Sequence, residues 1–538
     1  MSGLKKYPFH PLALSIFPVL ALLAANVSQV LFADTVRTFA AALLMGAALL
    51  LFFRLLTRDW HKAAALASLA LALFFSYGQL FSVLQGLHLG PVLVGRTAVL
   101  LPLWGLILVL CAWWILRQRS PAEMTSVLNI ISLFLLVFPL YTVAGYYVRA
   151  GLARNAQKTQ PPLSFAGKFQ GDPPDVYYII LDMHGRSDVL QALYGYDDSW
   201  FIDALKQRGF YVASQSTSNY SSTLQSLSSS LNMEYINTLE QKYGPASTDR
   251  EPLGLLIQNN AVMQAFRENG YRLGAFQTDD FYTEFHDADR YLKPSPAEVR
   301  KYLNARALDP FEAMLVRSTA FRILYDLDVL SSESAVKRTL ETPYDQHRLT
   351  VLHTLEHLPD LSREPGAWFV FAHIVSPHPP YIFGRTGEKI AHDTPYSLSA
   401  PGRLDGGPRI VKLYIDQLHY IDTQVLESID RILARSETPP VIIIQGDHGP
   451  VSYFGADEVR KGNMWEQHSI LNAYYFPDGN YQALYPAITP VNSFRILLNT
   501  YFGGKYEMLP DENYFLPHAR PYDFVDVTGR VKSDRVTP

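Results

Sequence analysis

Two kinds of hydrophobic patterning divide the chain. From Pro11 to Tyr147 apolar residues run almost without interruption, at about 11 to 33, 38 to 56, 63 to 84, 97 to 116 and 126 to 148. Each stretch is near the ~20 residues that cross a bilayer. Beyond residue 174 the apolar runs shorten to strand length. They lie in "DVYYIILDMHG" (175 to 185), "RLGAFQT" (272 to 278), "WFVFAHI" (368 to 374), "VIIIQGD" (441 to 447) and "NAYYF" (472 to 476). Between them the spacing is helical, over Trp200 to Arg208, Leu255 to Glu268, Leu349 to His357 and Ile410 to Arg435. Strands alternating with helices predict an α/β domain with a central, mainly parallel sheet covered by helices on both faces.

The expected order is therefore an α-helical membrane domain of five spans (1–150), a polar, Gly/Pro-rich linker (151–174) and an α/β exported domain (175–538), with a helical insertion at about 296–365. A cleavable signal peptide would account for only the first apolar stretch. No small-residue cleavage site follows it, so it reads as a retained span. Short-loop basic residues set the orientation. Lys5, Lys6, Arg54, Arg58, Lys62, Arg117 and Arg119 fall on one side, Arg37 and Arg96 on the other, a tally of seven against two. This predicts a cytoplasmic N-terminus and, with an odd number of spans, a domain outside the cytoplasmic membrane.

Composition narrows the picture further. The single cysteine, Cys111, lies in the fourth apolar stretch, so the exported domain folds without disulfides and depends on a large core. A net charge of −4, with no basic patch interleaved with aromatics, gives no footprint for nucleic acid.

The candidate chemistry sits at strand ends. "VIIIQGDHGP" (441 to 450) reads as a buried strand that stops at Asp447 and His448, and the first strand stops at Asp182. In open α/β sheets, ligands collect at the carboxyl ends of strands. The competing reading of Asp447 and His448 is a solvated turn. The tract "STSNYSSTLQSLSSSLNMEY" places Ser221, Ser222 and Thr223 ahead of Leu224, Leu227 and Leu231, which have helical spacing. One of these hydroxyls is accounted for as an ordinary N-cap. A hydroxyl there also faces free backbone N–H groups, a ready site for phosphate or sulfate oxygens. Contact with a divalent metal would lower its pKa and make it a nucleophile. Asp182, Asp447 and His448 are suitable ligands for such a metal. A shared single ion requires these groups and Thr223 to lie within about 7 Å of one another, because ligand bonds run near roughly 2.0 to 2.3 Å.

This order of elements, strand then Asp182, helix-opening Thr223, and late "GDHG", resembles the alkaline phosphatase/sulfatase superfamily. Membrane spans followed by such a domain further resemble the lipoteichoic acid synthases and lipid A phosphoethanolamine transferases. The resemblance implies that Asp182, Thr223, Asp447 and His448 bind one divalent metal, Mn, Zn or Mg, with a second metal left open. It implies that Thr223, in a T-x-x-S match with Ser226, carries a covalent phospho-intermediate, with Ser221, Ser222 and Ser226 as alternative nucleophiles. His378 in "HIVSPHPPY" and His468 in "WEQHSILNAYYF" match substrate-side histidines of the phosphoethanolamine transferases, and Ser222 and Asn219 join them as candidate substrate contacts. His373 reads as a satisfied core histidine, and His184 as close to the site in sequence but outside it.

The chain also departs from these families. A formylglycine sulfatase needs C/S-x-P-x-R where "STLQS" stands, and the literal match "SAPGR" (Ser399 to Arg403) lies far downstream. "FQTDDFYTEF" replaces the "FWNR"-like segment of the lipoteichoic acid synthases, and the disulfides usual in phosphoethanolamine transferases cannot form. The expected function is metal-dependent transfer of a phosphoethanolamine- or phosphoglycerol-like group from a membrane phospholipid to an envelope glycan or lipid acceptor. A phosphodiesterase or phosphatase using the same site, and a non-catalytic envelope scaffold or sensor, are the alternatives.

Overall fold

A computed structural model of the chain describes residues 7–27, 30, 32–84, 87–89, 92–157, 173–303, 308–323, 335–392, 396, 407–451 and 462–535. Most of the expected linker, 158–172, and the "SAPGR" match lie outside the described residues. The chain divides into two compact units, Met1–Leu152 with Arg306–Pro343, and Ala153–Ala305 with Tyr344–Pro538.

The first unit contains α1 (His10–Ala25), α2 (Phe32–Thr57), α3 (Trp60–Leu84), α4 (Thr97–Arg117) and α5 (Pro121–Gln157). Four helical segments, α2, α3, α4 and Pro121–Arg149 of α5, are long and apolar enough to cross a membrane. The first expected span is shorter than the sequence pattern suggested. Asn26 ends α1 after 16 residues, its side-chain amide donating to Leu22 O at 2.8 Å. At 1.5 Å per residue such a helix covers about 24 Å, less than the ~30 Å hydrocarbon core.

Part of the expected insertion belongs to this unit. Helix Pro310–Ser318 opens with a capping box, in which Asp309 accepts from Glu312 N at 2.8 Å and Glu312 accepts from Asp309 N at 3.1 Å. Its apolar face buries Phe311 with Val19, Leu23 and Ala42, and Arg37 donates to the Glu312 carboxylate. Gly78 is required where α3 meets this helix, since a Cβ there would lie 2.3 Å from Arg317 O.

The second unit is built on a seven-stranded sheet. Its strands are β1 (Val176–Leu181), β2 (Tyr211–Val212), β3 (Arg272–Phe276), β4 (Arg290–Leu292), β5 (Trp368–Ile374), β6 (Val441–Gln445) and β7 (Asn472–Tyr475), in the order β2-β7-β6-β1-β5-β3-β4. All neighbours are parallel except β7, which runs antiparallel to both β2 and β6. The main helices used below are α6 (Thr223–Ser230), α7 (Pro296–Leu303), α8 (Ala335–His357), α9 (Pro408–Arg435) and α10 (Pro490–Tyr501).

Strand β1 shows why its sequence lacks hydrophobic alternation. Val176, Tyr178 and Ile180 enter one core with Leu227 of α6, Phe266 and Phe494 of α10. Tyr177, Ile179 and Leu181 enter the opposite core with Leu355 of α8 and Ile421 and Ile429 of α9. A strand covered on both faces must be apolar at every position. The helical pattern over 255 to 268 is two helices, Glu251–Gln258 and Ala261–Glu268. The Asn260 side chain accepts from Met263 N at 2.7 Å and starts the second, so a local cap overrides a continuous apolar period.

Candidate active site

Strand β1 carries Asp182 out of the sheet between its two neighbours. Asp182 N donates to Ile374 O of β5 at 3.0 Å, and Asp182 O accepts from His378 N at 3.0 Å. The next residue, Met183, has a φ of 65°, a conformation uncommon for a residue with a side chain. Its N–H then reaches Asp447 Oδ1 at 3.1 Å, and the Tyr414 hydroxyl of α9 donates to Met183 O at 2.9 Å. The backbone turn therefore ties the two strand-end acids together.

The "GDHG" turn threads between neighbouring backbones. A Cβ on Gly446 would sit 2.7 Å from His184 O, and one on Gly449 would sit 2.1 Å from Glu466 O. Both glycines are thus demanded by close approach. His448 Nδ1 donates to Gly449 O at 2.9 Å, which fixes the tautomer with the Nε2 lone pair free. That Nε2 lies 3.7 Å from Asp182 Oδ1 and 3.7 Å from Asp447 Oδ2.

Ligand atoms of Asp182, Asp447 and His448 all lie within 4.8 Å of one another, and all three residues are buried. Asp182 Oδ1 and Asp447 Oδ2 have no hydrogen-bond partner. Two adjacent buried carboxylates with orphaned oxygens, facing an imidazole lone pair, fit a divalent cation. The electrostatics agree. Burial and the Asp182 charge push the Asp447 carboxyl up, whereas burial of Asp182 is outweighed by His378, His373 and His448, which hold it below the usual carboxylate range.

Thr223 is the first residue of α6, and its side chain is near enough to Asp447 to oppose the rise that burial imposes on that carboxyl. Ser222, in extended conformation with φ −150°, precedes it and makes no side-chain cap. The hydroxyls of Ser221 and Ser226 are turned to structural duty. Ser221 Oγ accepts from Leu516 N at 3.2 Å, and Ser226 Oγ donates to Tyr220 O at 2.9 Å.

The remaining sequence candidates separate into two groups. His378 is half-buried beside Asp182, in a loop with cis bonds before Pro377 and Pro380, and its Nδ1 pairs with Pro379 O. Asn219 and His468 are fully buried and engaged by neighbouring groups. Asn219 donates to the Tyr235 hydroxyl at 2.8 Å and to Glu512 O at 3.1 Å, and accepts from Val491 N at 2.9 Å. The His468 ring faces Met464 O at 3.0 Å and Tyr514 O at 3.3 Å, and burial pushes its pKa down to about 4. His184 turns away from the cluster to Asp422 of α9, at 2.7 Å.

Two groups at the site were not singled out from sequence. His373 is buried as expected of a core histidine, but its Nε2 lies 3.3 Å from Asp182 Oδ2, while Nδ1 pairs with Thr283 Oγ1 at 2.9 Å. Burial opposes a charge on this ring, and Asp182 raises its pKa nevertheless. Asp280, in the "FQTDDFYTEF" segment, is pushed up by burial and feels the charges of His373, Asp182 and His378. The signal available in sequence was the pair of adjacent acids directly after a strand.

Residues 174–496 match the family described as Sulfatase, a span of more than half the 538-residue chain. The protein belongs to the sulfatase family and is a sulfatase-like enzyme. Among solved structures it is similar to the C-terminal periplasmic domain of EcEptC from Escherichia coli in complex with Zn, at 12% identity, covering 68% of this chain and 96% of that one, with a TM-score of 0.43. It is also similar to the integral membrane lipooligosaccharide phosphoethanolamine transferase A from Neisseria meningitidis (14% identity, 91% and 95% coverage, TM-score 0.39). A third is the lipoteichoic acid synthase LtaP from Listeria monocytogenes (15% identity, 72% and 94% coverage, TM-score 0.36). No curated protein matches the chain.

Proposed function

We propose that this protein is a membrane-embedded, metal-dependent transferase that moves a phospho-substituent from a membrane phospholipid to a hydroxyl of an envelope glycan or lipid, through a covalent intermediate on Thr223. The observation that carries this reading is the buried cluster of Asp182, Asp447 and His448, with Thr223 opening a helix near Asp447. The transferred group is phosphoethanolamine- or phosphoglycerol-like.

One divalent ion, Mn, Zn or Mg, held by Asp182, Thr223, Asp447 and His448, would lower the hydroxyl pKa and neutralise charge on the phosphoryl oxygens, and a second ion is compatible with the histidines nearby. Thr223 Oγ1 attacks phosphorus as the bond from phosphorus to the lipid oxygen breaks, its proton passing to His378 Nε2, while the N–H groups opening α6 face the equatorial oxygens. His378, whose Nδ1 is occupied by Pro379 O, has Nε2 left to protonate the departing lipid oxygen. The same nitrogen then takes the proton of the acceptor hydroxyl as that oxygen attacks the phosphothreonine and frees Thr223. Ser222 contacts substrate beside it. Asn219 and His468 tie the loops before α6 and β7 to the segment at 512–514. His373 and Asp280 orient Asp182.

Residues 175–538 form the catalytic domain in this reading, and α1 completes five spans before it, with a cytoplasmic N-terminus in a bacterial inner membrane. Four crossings by α2 to α5 put Arg37 on the same side as the segment after α5, whichever way the chain is oriented. The partner of Arg37, Glu312, lies in a segment downstream of the last span. Labelled phospholipid incubated with the full chain tests transfer against hydrolysis. Lipid release that depends on an added hydroxyl acceptor, with label appearing on that acceptor, is expected. Release at an unchanged rate without acceptor, with label appearing in water-soluble phosphate ester, would instead make it a phosphodiesterase.

A further inference from the structure

A second cluster of metal-ligating groups lies on the helical layer. Glu298 of α7 and His353 and His357 of α8 each offer a ligand atom, and these atoms all lie within 4.8 Å of one another. The two imidazoles come from successive turns of one helix face, four residues apart, and their ring centroids are 4.2 Å apart. His353 is nearly buried, with Nδ1 3.8 Å from Glu298 Oε1.

The surroundings already orient two of the three ligands. Asp360 accepts from His357 Nδ1 at 2.7 Å, and Arg435 donates to the same carboxylate at 2.9 Å. A carboxylate on one ring nitrogen fixes the tautomer and presents the other nitrogen's lone pair, the support that metal-bound histidines usually have. Ser295 N donates to Glu298 Oε2 at 2.7 Å, which steadies the side chain carrying Oε1.

We infer that Glu298, His353 and His357 form a zinc site separate from the catalytic cluster. Two imidazoles and one carboxylate are a borderline ligand set that favours zinc over magnesium or manganese, with water completing a tetrahedron. The separation is topological. His357 ends the helix that feeds the amino end of β5, and Arg435 ends the helix that feeds the amino end of β6, whereas Asp182 and Asp447 follow the carboxyl ends of β1 and β6. The site also has a particular place in the chain. Glu298 precedes, and His353 follows, the stretch Arg306–Pro343 that belongs to the other unit. Zinc would clip the two ends of that excursion together, and closing a long loop is where a clip restricts the unfolded chain most.

The test is zinc content of the full-length protein in detergent, stripped with chelator and reloaded at micromolar zinc, for wild type and His357→Gln. Zinc per chain is expected to fall by one in the variant. That difference holds whether the catalytic cluster keeps zinc or not, so two-to-one and one-to-none both support the site and leave the catalytic reading to its own test. Equal zinc content in the two proteins would overturn it. Glu298→Gln, on a side chain 44% exposed, covers the case in which the histidine change disturbs α8. It is expected to weaken zinc binding at the Glu298, His353 and His357 site by about tenfold or more, and unchanged affinity would count against the inference. Cobalt substitution gives an independent readout, with tetrahedral visible bands that wild type shows and His357→Gln loses.

Discussion

Ser221 and Ser226 bond to neighbouring backbone groups whereas Thr223 opens α6, and that difference can be tested one residue at a time. Thr223→Ala is expected to lower kcat by at least about a thousandfold, the scale on which nucleophile removal acts, with the fold intact by circular dichroism. Ser221→Ala and Ser226→Ala are expected to keep turnover near wild type, because their hydroxyls serve Leu516 N and Tyr220 O. A second prediction concerns Glu284. Burial, opposed by hydrogen bonds from Tyr291 and Thr278, pushes its pKa up to about 7 from 4.5. The folded chain then binds this proton more tightly than the unfolded chain, so the Glu284 contribution to stability is largest below about 4.5 and declines as pH rises through about 7. Thermal unfolding at about pH 5 and about pH 8 should show that decline in wild type and a smaller one in Glu284→Gln. At this scale the clustering of Asp182, Asp447 and His448 was legible, since each follows the end of a strand. The partner of His373 was not legible, because burial looks the same in sequence whether an imidazole faces a threonine or a carboxylate. The register that pairs Ile180 with His373 is what brings it to Asp182. Asp280 was hidden differently, its segment having been read for a motif it lacks rather than for its own acids.

The strand-to-turn elements hold the site through backbone contacts. Gly449 packs so closely on Glu466 O that any Cβ must displace one of the two chains. Gly449→Ala is expected to cost about 1–3 kcal/mol, the usual range for overpacking. It should also weaken metal binding, because His448 donates to the Gly449 carbonyl. Unfolding midpoints and metal titration of the variant check both effects. The alternation of strands and helices was readable from periodicity, and the continuous apolar runs of β1 and β6 correctly implied cover on both faces. Two element boundaries were not readable. Asn26 stops α1 within an apolar stretch, and Asn260 restarts a helix inside a continuous helical period. In both places one side-chain amide bonding to backbone decides against the hydrophobic pattern.

The whole molecule is interleaved rather than strung end to end, since Arg306–Pro343 groups with the N-terminal helices. Hydrophobicity alone did not mark this, because a short amphipathic helix carries the same pattern whichever apolar surface receives it. A fragment of residues 175–538 would expose Phe311, which is buried with Val19, Leu23 and Ala42. That fragment is expected to self-associate or bind detergent in size-exclusion chromatography. Replacing residues 308–340 with a short Gly/Ser linker should return it to a monomer. Chemistry at the far end of the chain rests on a single atom, Thr223 Oγ1. Intact mass of the full-length protein after incubation with a divalent ion and mixed bacterial phospholipids, compared with Thr223→Ala, examines it directly. A mass increase on wild type alone, equal to a phosphoethanolamine or phosphoglycerol group, is the expected result. An adduct that survives in Thr223→Ala, or wild type that turns over lipid with a slow substrate and never carries an adduct, would contradict a covalent threonine intermediate.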